Sequence, residues 1–119
     1  ISIARPEFTA PDEQHVRELI AFAKDWDRSQ PMLIHCWAGI SRSTASAFTI
    51  ACMLNDPGNE TDIARRLRKA AAHAQPNLRI VALADTILGR GGRMVDALDA
   101  MGPASVVFEG QLFALPVHA

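Results

Sequence analysis

The sequence predicts an α/β fold in which helices flank a central sheet. Residues 32–35 form a short, almost unbroken apolar run, which is typical of a strand buried on both faces. Helical periodicity lies on either side of this run, over residues 11–26 and 43–54. With 119 residues, of which 49% are hydrophobic, the chain is long and apolar enough for one globular domain, 1–119.

The first predicted helix covers residues 11–26, with Glu13 and Arg17 four residues apart as a surface ion pair. We expect Thr9 to be its N-cap, with Asp12 three residues later in a capping box. Pro31 then breaks the helical pattern before the predicted strand. The apolar positions that recur at helical spacing are Val16, Leu19, Ile20, Ala23 and Trp26.

Four further helices are predicted after the strand. Residues 43–54 are rich in Ala, Phe, Ile and Met, which indicates a largely buried helix. A second helix follows the turn at residues 55–59, with Asn59 as its N-cap and Asp62 paired with Arg66. Residues 78–88 and 94–101 form the third and fourth, and the glycines between them mark either a kink or a break. Residues 103–119 show no period and are expected to pack as an extended tail.

Composition and charge disfavour several functional classes. A net charge of −1 gives no overall attraction to nucleic acid. No apolar run is long enough to span a bilayer, and the first residues lack the pattern of a secretion signal. Cys36 and Cys52 form neither a disulfide framework nor a zinc site, and Cys52 falls on a predicted buried helix as a core residue. We therefore expect a cytoplasmic protein without membrane insertion, a nucleic-acid partner, a metal or a cofactor; the sequence carries no indication of its oligomeric state.

The loop between the predicted strand and the predicted buried helix is a candidate phosphate site. Its inward-facing N–H groups, at the positive end of the following helix, would suit a tetrahedral anion. Gly39 permits a backbone conformation that a side chain would penalise, and Arg42 carries the planar fork that grips two phosphate oxygens. The phosphate-binding residues are predicted to be Trp37, Ala38, Gly39, Ile40, Ser41 and Arg42.

Cys36, at the beginning of this loop, is the candidate nucleophile. Nearby helix-end N–H groups and a guanidinium lower the pKa of such a thiol, so that it ionises at neutral pH. Attack on phosphorus would give a phosphocysteine intermediate, with the loop donors and Arg42 stabilising the equatorial oxygens. Ser43 is placed to donate a hydrogen bond to the departing thiolate during hydrolysis.

This stretch resembles the HCxxGxxRS signature of the protein tyrosine and dual-specificity phosphatase superfamily, and matches it at His35, Cys36, Gly39, Arg42 and Ser43. A Pro-Asn step at residues 76–77 is similar to one that dual-specificity phosphatases carry, so the resemblance covers residues 8–90 and is strongest to small bacterial members. It implies a cysteine-dependent phosphatase that acts on phosphorylated protein, with phosphotyrosine favoured. It also implies that His35 supports the loop through hydrogen bonds.

The superfamily pattern is incomplete in two respects. Members use an Asp general acid roughly thirty residues before the cysteine, where its assistance raises the rate. No Asp lies there; the nearest carboxylates are Glu7, expected to be a surface charge, and Asp12, expected to be in the capping box. Because a single strand cannot form a sheet, we expect the acid and much of the sheet to lie upstream of Ile1, in an N-terminally incomplete domain.

Two other functions stay open at this point. A phosphatase-like module without the general acid would bind phosphorylated proteins and not turn them over. An arsenate reductase or a rhodanese-like sulfur enzyme also uses a cysteine in a strand-to-helix loop, but His35, Gly39 and the Arg42-Ser43 pair disfavour it.

Two other charged segments are interpreted as structural. The basic cluster on the helix predicted after the turn at residues 55–59 is interpreted as a solvated helix face. Residues 89–92 are rich in glycine but lack the preceding strand and the Lys-Ser/Thr ending of a nucleotide-binding loop. The basic cluster comprises Arg65, Arg66, Arg68 and Lys69.

Overall fold

The computed structural model describes residues 13–26 and 42–102, together with Leu115. Within these residues the chain forms five α-helices and no strand. The strand predicted at residues 32–35 and the cap predicted at Thr9 lie outside the described residues, so the sheet stays a prediction. The helices are α1 (Glu13–Lys24), α2 (Arg42–Met53), α3 (Glu60–Ala70), α4 (Leu78–Leu88) and α5 (Arg93–Met101).

α2 packs against α1, α3 and α4. Ten of its 12 residues are buried, which confirms the largely buried helix predicted for residues 43–54 to within one residue at each end. Most of its side chains are Ala, Ser or Thr, which lets neighbouring helices approach closely. Phe48 is the largest side chain that α2 buries completely.

α1 is amphipathic, as predicted. It buries Val16, Leu19, Ile20 and Ala23 along one face, whereas Trp26 follows the end of the helix. The predicted surface ion pair is confirmed, with Arg17 Nε donating to Glu13 Oε2 at 3.0 Å.

The beginning of α3 differs from the prediction. Asn59 makes no side-chain capping hydrogen bond, because its backbone (φ −94°, ψ 4°) lies outside the extended conformation that an N-cap adopts. The carboxylate of Glu60 instead accepts a hydrogen bond from Gly58 N at 2.9 Å. The predicted ion pair within the helix is confirmed, with 3.0 Å between Arg66 Nε and Asp62 Oδ2.

The glycines after α4 produce a break between two helices. Asn77 caps the beginning of α4 by accepting a hydrogen bond from Ile80 N at 3.0 Å, and Gly89 ends the helix in the left-handed conformation with φ 68°. The carboxylate of Asp85 then accepts hydrogen bonds from Gly92 N and Met94 N, both at 2.8 Å. A carboxylate from α4 thus caps α5, which stabilises the sharp change of direction.

The basic cluster is only partly a solvated face. Arg65 and Lys69 are exposed, but Arg68 donates hydrogen bonds to backbone carbonyls at the ends of both α3 and α5. Its Nη1 lies 2.9 Å from Ala72 O, and its Nη2 lies 3.0 Å from Gly102 O. A cation among helix-terminal carbonyls is stabilising, so this arginine connects the two helices.

The core is shared by all five helices. α4 and α5 contribute Ile80, Val81, Ala84, Met94 and Ala97 to the cluster that contains Phe48, and Leu115 packs against it. None of the helices in the described part of the chain is both long and apolar enough to cross a bilayer.

Candidate active site

Arg42 and Ser43 are the predicted site residues that fall within the described part of the chain. They are the first two residues of α2, and both are buried, with 8% and 7% of their surfaces exposed. The other predicted site residues lie outside the described residues. These are His35, Cys36, Trp37, Ala38, Gly39, Ile40 and Ser41.

The N-terminal end of α2 favours an anion. The first N–H groups of a helix have no partner within the helix and carry a partial positive charge, which attracts anions to this end. The first turn of α2 contains no acidic residue, and the guanidinium of Arg42 adds a full positive charge there. The attraction is strengthened by burial, because solvent screens charges less around a buried helix end.

Packing fixes the backbone at this end. The hydroxyl of Ser46 donates a hydrogen bond to Arg42 O at 2.9 Å, one turn along the helix. Thr44 and Ala45 are fully buried directly after the two site residues. Arg42 therefore begins a helical turn whose position is set by the protein interior rather than by solvent.

The C-terminal end of α2 is held by a buried ion pair. Arg90 Nη1 lies 2.7 Å from Glu60 Oε2, and the two side chains are only 6% and 2% exposed. Arg90 Nη2 donates hydrogen bonds to Cys52 O at 2.7 Å and to Asn55 O at 3.2 Å. One guanidinium thus connects the last turn of α2, the turn that follows it and the first residue of α3.

Comparison with known proteins identifies the family. The family model for the protein-tyrosine phosphatase domain matches residues 6–76, which is more than half of the chain and includes every predicted site residue. The chain belongs to the protein-tyrosine phosphatase family. The resemblance seen in the loop sequence is thereby confirmed, and membership supports a phosphatase that acts on phosphorylated proteins. No curated protein and no solved structure matches the chain.

The matched residues of this phosphatase-family chain end before α4. α1, α2 and α3 all lie within the match, whereas α4 and α5 lie beyond it. Arg90, which holds the end of α2, therefore comes from a part of the chain that the family model does not cover. The dependence of α2 on that part is visible only in the folded structure.

Cys52 is a core residue, as predicted. Burial raises the pKa of its thiol to about 12, with the Glu60 carboxylate adding to the rise and Arg90 opposing it. The side chain is fully buried in the core. A thiol that stays protonated at neutral pH is a poor nucleophile, so Cys52 is not suited to that role.

Glu60 is ionised in the folded protein. Burial favours the neutral carboxyl, but hydrogen bonds from Arg90, from its own backbone N–H and from Gly58 N outweigh burial and hold its pKa below the usual value. The guanidinium of Arg93 adds a contact at 3.5 Å. The Glu60–Arg90 pair is therefore a charged pair in the interior.

Sequence reasoning missed this pair. The sequence pattern places Arg90 only in a glycine-rich segment and assigns no role to Glu60. The two residues are thirty positions apart, so no local periodicity joins them. The available signal was an arginine between glycines, directly after an amphipathic helix.

Proposed function

We propose that this chain is a phosphoprotein phosphatase that hydrolyses phosphate monoesters, with phosphotyrosine favoured, through a phosphocysteine intermediate on Cys36. The observation that carries the proposal is the burial of Arg42 and Ser43 at the beginning of α2, within the residues that the family model matches. A buried helix N-terminus with an added guanidinium is suited to binding a phosphate dianion.

In the first step the Cys36 thiolate attacks phosphorus, a sulfur–phosphorus bond forms, and the bond from phosphorus to the ester oxygen breaks. The leaving oxygen takes up a proton from a general acid, which assists departure of a basic leaving group. Arg42 and the loop N–H groups stabilise the equatorial oxygens as charge spreads over them. His35 holds the loop around the phosphate.

In the second step water attacks the phosphocysteine. The general acid, deprotonated in the first step, takes up a proton from this water, the sulfur–phosphorus bond breaks, inorganic phosphate is released, and the thiolate of Cys36 is regenerated. Ser43 donates a hydrogen bond to the departing sulfur, which lowers the energy of the developing thiolate. Neither step uses a metal ion or an organic cofactor.

The test uses p-nitrophenyl phosphate, because its leaving group departs without protonation and the assay therefore does not depend on the general acid. We expect Cys36→Ser to abolish hydrolysis, and we expect Arg42→Lys to lower kcat by at least ~10²-fold, because lysine keeps the charge but loses the planar fork. Cys52→Ala is the matched control at the other cysteine and should retain activity. Vanadate should inhibit, and a metal chelator should not.

Two further measurements address the intermediate and the substrate. Acid quenching during turnover should leave one phosphoryl group on the peptide that contains Cys36. A phosphotyrosine peptide should be hydrolysed with a higher kcat/KM than the matching phosphoserine peptide. Hydrolysis that survives Cys36→Ser, or binding of the phosphotyrosine peptide without any turnover, would contradict the proposal.

A further inference from the structure

The first turn of α2 packs through small side chains, whereas the largest side chain that the helix buries, Phe48, lies further along it. Ser43, Thr44, Ala45 and Ser46 present small side chains to the neighbouring helices. Interlocking of large side chains normally fixes the register between packed helices, and small side chains form only shallow ridges. Directed contacts at the ends of α2 therefore add to the packing of Phe48 in fixing the axial position of the helix.

Arg90 holds one of these ends with several directed contacts. Its fork reaches Cys52 O and Asn55 O on one side and the Glu60 carboxylate on the other. The carbonyls at the end of a helix lack partners within the helix, so these hydrogen bonds replace water. Because Arg90 and Glu60 are both buried and paired, this end of α2 is attached to the beginning of α3 at a fixed distance.

We propose that Arg90 is a positioning residue for the phosphatase reaction: it holds α2 at the axial position that places Arg42 and Ser43 against the phosphate. This inference rests on the proposed function. From Arg42 to Cys52 the helix is about 15 Å long and stiff, so a shift at one end is transmitted to the other. Arg90 thus acts on the reaction through α2 and does not itself contact the substrate.

The expected effect is large because catalysis is sensitive to position. A displacement of about 1 Å at the reacting groups can reduce the rate about 10²-fold. Lysine at position 90 would keep a positive charge, but one ammonium group cannot reproduce a planar fork that contacts a carboxylate and two carbonyls. Arg90→Lys should therefore impair positioning even where the protein folds.

The experiment compares Arg90→Lys and Arg90→Met with Arg68→Met, each assayed well below its own unfolding midpoint. Arg68 is the matched control, because it also donates to carbonyls at two helix ends, but its hydrogen bonds in the described part of the chain go to the ends of α3 and α5 rather than to α2. The readouts are kcat and KM for p-nitrophenyl phosphate per folded molecule, inhibition by vanadate, and the pH dependence of iodoacetamide alkylation of Cys36.

We expect the Arg90 variants to lose between ~10-fold and ~10²-fold in kcat, in line with a small displacement of the reacting groups. Vanadate inhibition should weaken in parallel, and the alkylation midpoint should move to higher pH as the thiolate loses stabilising charge. Arg68→Met should unfold at a lower temperature and keep all three readouts. That difference separates positioning from general stability.

Unchanged readouts in a folded Arg90 variant would overturn the inference, since Arg90 would then contribute stability alone. Failure of both Arg90 variants to fold would overturn it as well, because the residue would be required for the fold itself. If the unchanged protein hydrolyses no phosphate ester, the proposed function and this inference both fail. Activity that survives in the Arg90 variants refutes only the inference.

Discussion

Replacing Glu60 by Gln tests the energetic role of the buried ion pair. The substitution keeps the shape of the side chain and one acceptor oxygen, but it removes the negative charge that faces Arg90 at 2.7 Å. Arg90 would remain in the interior with its charge compensated only by the carbonyls of Cys52 and Asn55. An uncompensated buried charge is costly, so the folded state should lose stability.

The size of the loss follows from the burial of both partners. Removing one partner of a buried pair costs about 3–5 kcal/mol, and the retained acceptor oxygen places this variant near the lower limit. Domains of this size unfold with a total of about 5–15 kcal/mol. We therefore expect Glu60→Gln to remove a substantial part of the free energy of unfolding at pH 7.

The loss should depend on pH in a defined direction. Because the pKa of Glu60 is lowered in the folded protein, folding favours its ionised form. This contribution is complete above the unfolded-state pKa of about 4.3 and is lost as the pH falls through that value toward the lower folded-state pKa. The difference in the free energy of unfolding between the unchanged protein and Glu60→Gln should therefore be constant near neutral pH and shrink below pH ~4.3.

Urea denaturation followed by circular dichroism, at several pH values from neutral downward, measures this difference. Glu13→Gln is the matched control, because Glu13 pairs with Arg17 at 3.0 Å while their side chains are 62% and 54% exposed. Such an exposed pair contributes only about 0.3–0.5 kcal/mol. Similar losses in the two variants at pH 7, or a Glu60→Gln loss that does not shrink in acid, would refute the reasoning.

Three other outcomes follow from the described contacts. In a Cys36→Ser background, iodoacetamide should label Cys52 only after unfolding, because the thiol is fully buried with a pKa of about 12; labelling of the native protein would contradict this. Asn77→Ala should lower the free energy of unfolding by about 1 kcal/mol through loss of the α4 cap, whereas Asn77→Asp should keep the cap and the stability. Equal stabilities of the alanine and aspartate variants would show that the cap is unimportant. Asp85→Asn should lower the free energy of unfolding by about 1–3 kcal/mol. The two carboxylate oxygens of Asp85 accept from Gly92 N and Met94 N separately, whereas an amide has only one acceptor oxygen. Asp99→Asn, at an exposed position, is the control for Asp85→Asn. A comparable loss of stability in the control would contradict the capping role of Asp85. Urea denaturation measures the stabilities of the Asn77 and Asp85 variants and of this control.

Local features of the sequence predicted the helices well. The bounds of α2 were correct to within one residue, because a run of Ala, Ser, Thr and Phe is both helix-compatible and apolar. The buried face of α1 followed from its 3.6-residue period. Asn59 occupies the predicted N-cap position of α3, but its side chain makes no capping hydrogen bond, because its backbone is not extended.

The contacts that connect the helices could not be predicted in the same way. Arg68 donates to carbonyls 33 and 34 residues later, and Arg90 pairs with Glu60 thirty residues earlier. A surface arginine and a buried arginine look alike in a sequence, since burial depends on which helices meet. For the candidate site, the sequence pattern predicted a buried helix from Ser43 onward, because the apolar run is local, and the helix in fact begins one residue earlier, at Arg42.

The two ends of α2 carry arginines in opposite electrostatic situations. At the C-terminal end, Arg90 is favoured by the helix dipole and is paired with Glu60, so this end is stable without any ligand. At the N-terminal end, Arg42 lies where the helix dipole is positive, and the first turn of α2 contains no acidic residue. The proposed function requires such an end, because the partial positive charge of the first N–H groups favours a bound phosphate.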